Sequence, residues 1–108
     1  MATTKLRVPN AVLTQRLRLP DWVDAKSLAA NTAESYTVPA GVGFIVMTGS
    51  AAGFYINGQG TASAPADTSD GTASFWIPSS AEFVVDTGDV ISIMPLVTNT
   101  VTIACYSV

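Results

Sequence analysis

From residue 35 onward, short runs rich in Val, Ile, Thr, Phe and Tyr alternate with breaks of Gly, Pro and Asn. Runs this short and this β-branched read as strands, since a helix would need a longer period-3.6 pattern. The pattern predicts strands over 35–38, 43–48, 53–57, 74–77, 81–85, 90–94 and 101–106. In the last of these, Val101, Ile103 and Cys105 fall on one face and Thr102, Ala104 and Tyr106 on the other, which makes Cys105 a core thiol. The run Gly43-Phe44-Ile45-Val46-Met47 is apolar on both faces, as suits a central strand or one covered by a neighbouring subunit. Asn57-Gly58 carries the signal of a tight hairpin turn, and Thr87-Gly88-Asp89 marks another turn. Residues 58–73 form a long loop of small residues, a length often kept for function. These runs together predict an all-β, single-domain antiparallel β-sandwich or jelly roll over residues 35–108.

The first 34 residues follow a different rule. Lys5-Leu6-Arg7-Val8 and Arg16-Leu17-Arg18-Leu19 alternate cations with apolar side chains, so an extended chain would point the two sets to opposite sides. Pro9 and Pro20 interrupt any long helix, while Asp21 fits the cap of a short helix over about 22–30, with Asp24 favouring its positive end. Residues 1–34 therefore read as an extended N-terminal arm. Twenty extended residues reach about 65 Å. A body of this size has a radius of gyration of only ~13 Å, so such an arm is long enough to cross onto a neighbouring molecule.

Charge sharpens that division. All five cations, Lys5, Arg7, Arg16, Arg18 and Lys26, lie in the first 26 residues, which also hold Asp21 and Asp24 and so carry +3. Residues 27–108 hold six acids and no cation, giving −6. A basic arm on an acidic body needs a partner, either another molecule or the body itself. Only 12% of residues are charged and 48% are hydrophobic, so the polar surface must be built largely from Ser, Thr, Gly and Asn. No apolar run is long enough for a secretory signal core or a membrane helix.

The chemistry available is narrow. With no histidine, His-based triads and His-ligated metals are excluded, and a single cysteine excludes an intrachain disulfide. The body offers no Lys or Arg to cradle phosphate, and the arm's five cations lack interleaved aromatics, which argues against nucleic acid. Glu82 and Asp86 are the acids a glycosidase would use, but a substrate groove is hard to build in 108 residues, so no enzymatic activity is expected. Asp67 and Asp70 offer oxygen ligands for weak Ca2+ binding, against the simpler reading that they bond their own backbone in a turn. Neither a cofactor nor a committed metal site is expected. Phe54-Tyr55 and Phe75-Trp76 should each place one ring in the core and its neighbour outward, leaving Tyr55 or Trp76 as a sugar platform or subunit contact, or else covered by a loop or the arm.

Tyr36-Thr37-Val38-Pro39-Ala40-Gly41, Phe54-Tyr55-Ile56-Asn57-Gly58, and Gly60-Thr61-Ala62 through Pro65-Ala66-Asp67 to Asp70-Gly71-Thr72-Ala73-Ser74 resemble small β-sandwich proteins encoded among the virion genes of tailed bacteriophages. The likeness spans roughly residues 35–106 and rests on composition and turn motifs. The Val-Pro-Ala-Gly and Thr-Gly-Asp-Val-Ile-Ser pieces are also similar to cupin-like barrels, but the histidines of a cupin metal site are missing. The phage resemblance implies a structural virion component without catalytic residues. With the basic arm, it leads to the expectation of a capsid decoration (cement) protein in the virion. Its partners would be the major capsid protein or another virion protein and further copies of itself, as in a trimer, with no nucleic acid or membrane contact. In that role Leu6, Val8, Val12, Leu13, Leu17, Leu19 and Trp22 would supply apolar contact, and Arg7, Arg16 and Arg18 would pair with acids. The alternatives are a carbohydrate- or receptor-binding tip using Tyr55 or Trp76, and a neck, tail or head-fibre component.

Overall fold

A computed structural model of the chain describes residues 19–107. The cationic part of the arm, with Leu6, Arg7, Val8, Val12, Leu13, Arg16, Leu17 and Arg18, therefore lies outside the described residues.

The described chain is all-β, with eight strands: β1 (Trp22–Leu28), β2 (Glu34–Thr37), β3 (Val42–Gly49), β4 (Phe54–Asn57), β5 (Phe75–Ile77), β6 (Ser80–Val84), β7 (Val90–Pro95) and β8 (Asn99–Ser107). They form two four-stranded antiparallel sheets, ordered β1-β8-β3-β6 and β2-β7-β4-β5. Ile45, Met47, Val101 and Ile103 from the first sheet and Phe54, Ile77, Ile91 and Ile93 from the second join one buried cluster, so the two inner faces share a core. The strands expected from residue 35 onward appear as β2 to β8, with burial alternating along β6 and most of β8, whereas β7 is buried at every position from Ile91 to Pro95. Cys105 is fully buried on the inner face of β8, beside Ile103 and Val101 in the same alternation. The doubly apolar β3 lies between β8 and β6, and on its outer side Phe44 packs against Tyr106 with ring centroids 5.7 Å apart. Gly88 has φ +86° in the β6–β7 turn, the left-handed conformation that glycine adopts without steric cost.

Three expectations are corrected. The helix expected over 22–30 is replaced by strand β1, paired with β8 from Trp22↔Cys105 to Leu28↔Asn99. The ladder pairs one side of the segment along its whole length, and a short isolated helix is marginal by comparison. β1 turns Trp22, Asp24, Lys26 and Leu28 inward, and the two charges find partners on β2. Tyr36 donates to Asp24 at 2.6 Å, and Lys26 lies 3.2 Å from Glu34. Inward charges on an edge strand also discourage edge-to-edge pairing.

The second correction concerns Asn57-Gly58, which is not a two-residue hairpin turn. Neither residue has positive φ, and β4 connects to β5 through the long loop instead. The Asn57 amide closes that loop from both ends. Its Oδ1 accepts from the N–H groups of Gln59 and Gly60, and its Nδ2 donates to the Thr72 carbonyl and Ser74 Oγ.

The third correction is to the pair Phe75-Trp76, of which neither ring is in the core. β5 is a three-residue edge strand, too short to be covered by neighbours, and Phe75 remains 62% exposed.

Candidate functional site

Sheet register decides which side chains meet on the two outer faces. On the β1-β8-β3-β6 sheet, Phe44 stands opposite Tyr106 on one side and Val84 on the other, forming an outward row Tyr106–Phe44–Val84. The adjoining row is Val23–Ala104–Val46–Glu82, and the next is Ala25–Thr102–Thr48–Ser80. One half of this face is therefore apolar with a single acid, and the other half is alanine and hydroxyls. Val84 is 87% exposed and Val23 55% exposed. These two exposed valines stand on the opposite edge strands of the sheet, with half-buried Phe44, Val46 and Ala104 and buried Tyr106 on the same face.

The chain enters at the apolar end of this face. Asp21 donates its N–H to the Cys105 carbonyl, and its Oδ2 accepts from the Ser107 N–H and Oγ. Leu19 is exposed beside it. Trp22 is more than half exposed and donates its indole N–H to Asp24 Oδ2 at 2.8 Å. Of the arm residues expected to make contacts, Leu19 and Trp22 are the described ones; both are exposed, and Trp22 lies on the inward side of β1.

The outer face of the second sheet is different. Tyr55 pairs with Trp76 across β4 and β5, with ring centroids 4.7 Å apart and planes inclined at 53°. The expected aromatic pair is therefore brought together on one face. Gly53 lets Trp76 settle there: a Cβ at this position would sit 2.5 Å from the indole and 2.4 Å from the Ile77 carbonyl oxygen. Further along the same face, the 58–74 loop folds over β7, where Ala62 N–H donates to Ser92 Oγ at 2.9 Å. Between loop and sheet lies a cavity of about 330 Å3, lined by Ser35, Gln59, Thr61, Val90 and Ser92 with Gly58 and Gly60. Its lining is neutral, so it suits hydroxyls and amides better than ions.

Tyr36, Asp24 and Cys105 form a buried polar cluster between the sheets, with Tyr36 Oη 3.4 Å from Cys105 Sγ. Burial, with the hydrogen bond to Asp24, holds the Tyr36 hydroxyl protonated far above the usual phenol range. Burial likewise pushes the Cys105 thiol up, against an opposing contribution from its contact with Tyr36. A thiol kept protonated and enclosed is a poor nucleophile. Both protons are held more tightly folded than unfolded, so their contribution to stability is complete below the unfolded values near 9 and 10 and is lost as pH rises past them. The melting temperature should therefore fall between about pH 8.5 and 10.5, with the upper part of the fall reduced in Tyr36→Phe. An unchanged melting temperature across that range would contradict the protonated cluster.

The acids weighed for other chemistry stay apart. Asp70 accepts from the Thr72 N–H and hydroxyl, which lowers its carboxyl below the ordinary range and accounts for it as a turn residue. Among the described residues, no three His, Cys, Asp or Glu side chains gather as a metal would need. Glu82 faces outward on β6, whereas Asp86 lies in the β6–β7 turn, its N–H bonded to Asp89. The sequence reading missed Asn57 as a loop clamp and Val23 and Val84 as exposed contacts. Asn57 carried a polar turn signal that also fits a clamp, and the two valines carried none before the register was known.

No family model matches the chain, and no curated protein or solved structure matches it.

Proposed function

We propose that this chain is a structural virion protein of the tailed-phage type, acting as a capsid decoration protein that binds a coat lattice and neighbouring copies. The observation that carries the reading is the exposure of Val84 and Val23 on the outer face of the β1-β8-β3-β6 sheet, in a chain whose first described strand follows a basic, amphipathic N-terminal segment. The fold supports it. The strand orders β1-β8-β3-β6 and β2-β7-β4-β5, with β4–β5 the one pair consecutive in sequence, fit two facing sheets wound as a jelly roll. Eight-stranded jelly rolls build viral capsid domains, and also lectins and cupins, so the fold allows the role without fixing it. The major capsid protein is the proposed partner, and symmetric clustering of copies, as in a trimer, would cover Val84 and Val23.

A second reading has its own support: the neutral cavity and the Tyr55–Trp76 pair lie on one sheet face, an arrangement suited to a sugar. Electron cryomicroscopy of particles from the chain's source separates the readings. Decoration requires density for this fold at symmetric positions across the shell, with the β1-β8-β3-β6 face against coat or a second copy. Density confined to tail tips would favour the sugar-binding reading, and density at the neck or tail tube would reject both.

A further inference from the structure

We infer that Asn57-Gly58 is a self-acting modification site: Asn57 deamidates through a cyclic imide when the 58–74 loop opens, and the product leaves that loop unlatched. The inference goes beyond the assembly reading and does not depend on it.

The sequence supplies the reactive pair. Of the four asparagines, Asn10, Asn31, Asn57 and Asn99, Asn57 alone is followed by glycine. Gly58 has no side chain to crowd its backbone nitrogen, and that nitrogen is the nucleophile. It gives up its proton to solvent and bonds to Asn57 Cγ. The Cγ–Nδ2 bond breaks and the amide leaves as ammonia, which closes a succinimide ring. Water then opens the ring. Cleavage at Cγ yields aspartate. Cleavage at the Asn57 backbone carbonyl yields isoaspartate, in which the chain runs through the former side chain. Water is consumed and ammonia released, with no change of oxidation state.

The structure supplies the control. Asn57 is buried and its amide is held at both ends. Its Oδ1 accepts from Gln59 N–H at 2.8 Å and Gly60 N–H at 3.0 Å, and its Nδ2 donates to the Thr72 carbonyl at 3.0 Å and Ser74 Oγ at 3.1 Å. Attack on Cγ requires the amide to turn out of these bonds, so the reaction follows opening of the loop. Within residues 58–73 only Ala62 is buried, so little apolar contact opposes that opening.

The product does not restore the latch. A carboxylate has no N–H for the Thr72 carbonyl and sets a negative oxygen against it. Isoaspartate also lengthens the backbone at the end of β4, where Asn57 is in register with Ser92. Gly58, Gln59, Gly60 and Thr61 line the cavity under the loop, so the modification reshapes that cavity too.

Ageing the full chain in mildly alkaline buffer, with peptide mapping by mass spectrometry, tests this. Asn57 is expected to convert to both products well before exposed Asn31, which threonine follows. Gly58→Ala should slow the conversion to the level of Asn31. Gly58 has no positive φ and a Cβ there would meet nothing within 4 Å, so this variant keeps the fold, which matched melting curves verify. Ser74→Ala should raise the rate at least about fivefold, the factor that one neutral hydrogen bond contributes to the opening equilibrium. In the converted chain, amide hydrogen exchange at Ala62 and Ser63 should quicken while Ile103 in β8 stays protected. Survival of Asn57 beyond Asn31 overturns the inference. So does a rate unchanged by Gly58→Ala, or one unchanged by Ser74→Ala, which would detach the reaction from loop opening. Converted chains whose Ala62 and Ser63 amides exchange as slowly as the parent's would overturn the unlatching.

Discussion

Asn99→Ala should lower the free energy of unfolding by about 2–4 kcal/mol. Asn99 opens β8 and is buried, and its side chain ties the β3–β4 turn to the sheet. Its Oδ1 accepts from Ser50 N–H at 2.9 Å, Ser50 Oγ at 3.1 Å and Ala51 N–H at 3.1 Å, while Nδ2 donates to the Ala52 carbonyl at 2.6 Å. Alanine removes all four bonds and leaves a void. Ser50, Ala51 and Ala52 are exposed, so water replaces part of what is lost, which keeps the cost below that of a fully enclosed network. Asn99→Asp should not rescue stability, since it keeps the acceptor, loses the donor and places a charge in a buried site. Gly49 belongs to the same clamp: a Cβ there would stand 2.4 Å from the Ala52 oxygen and 2.9 Å from Asn99 Nδ2. Gly49→Ala and Asn99→Ala should therefore combine to less than the sum of their separate effects. Urea titrations of the single and double variants check both statements. A loss below about 0.5 kcal/mol for Asn99→Ala would mean that the turn holds without its clamp.

Val84→Glu should do the opposite, abolishing association while leaving the fold unchanged. Val84 sits at the end of edge strand β6 and is almost wholly exposed, so its replacement costs the isolated chain within about 0.5 kcal/mol. Within an interface, a buried valine contributes on the order of 1.5 kcal/mol. A carboxylate in its place would be desolvated beside Glu82, which adds repulsion between like charges. Together these weaken each contact by at least about tenfold, and the loss multiplies in an assembly that repeats the contact by symmetry. Val97→Glu is the matched control. Val97 is also exposed, at 48% against 87% for Val84, but it lies in the β7–β8 turn, off the sheet face.

The strands from β2 to β8 were legible because short β-branched and aromatic runs end at Gly, Pro and Asn breaks there. Val101, Ile103 and Cys105 alternate with Thr102 and Ala104, and Gly88 punctuates the turn before β7. β1 was hidden because its inner face carries Asp24 and Lys26, so its alternation is not one of apolar against polar. Only the pairing of those charges with Tyr36 and Glu34 on another strand makes the strand intelligible. Asn57 misled for a related reason: its amide has the chemistry of a tight turn but spends it on Thr72 and Ser74, distant in sequence. Tyr55 and Trp76 could be anticipated as outward rings, yet their contact depends on the β4–β5 register. The apolar face was beyond reach from sequence altogether. Its residues come from β1, β3, β6 and β8, and strand order alone makes neighbours of Val23, Phe44, Val84 and Tyr106.

Sedimentation equilibrium of the full chain beside Val84→Glu and Val97→Glu tests the assembly claim most directly. The account predicts that the parent chain and Val97→Glu form concentration-dependent oligomers that weaken as salt rises, while Val84→Glu remains a monomer with the parent's melting temperature. A parent chain that stays monomeric at every concentration, or a Val84→Glu chain that associates as strongly as the parent, would contradict it.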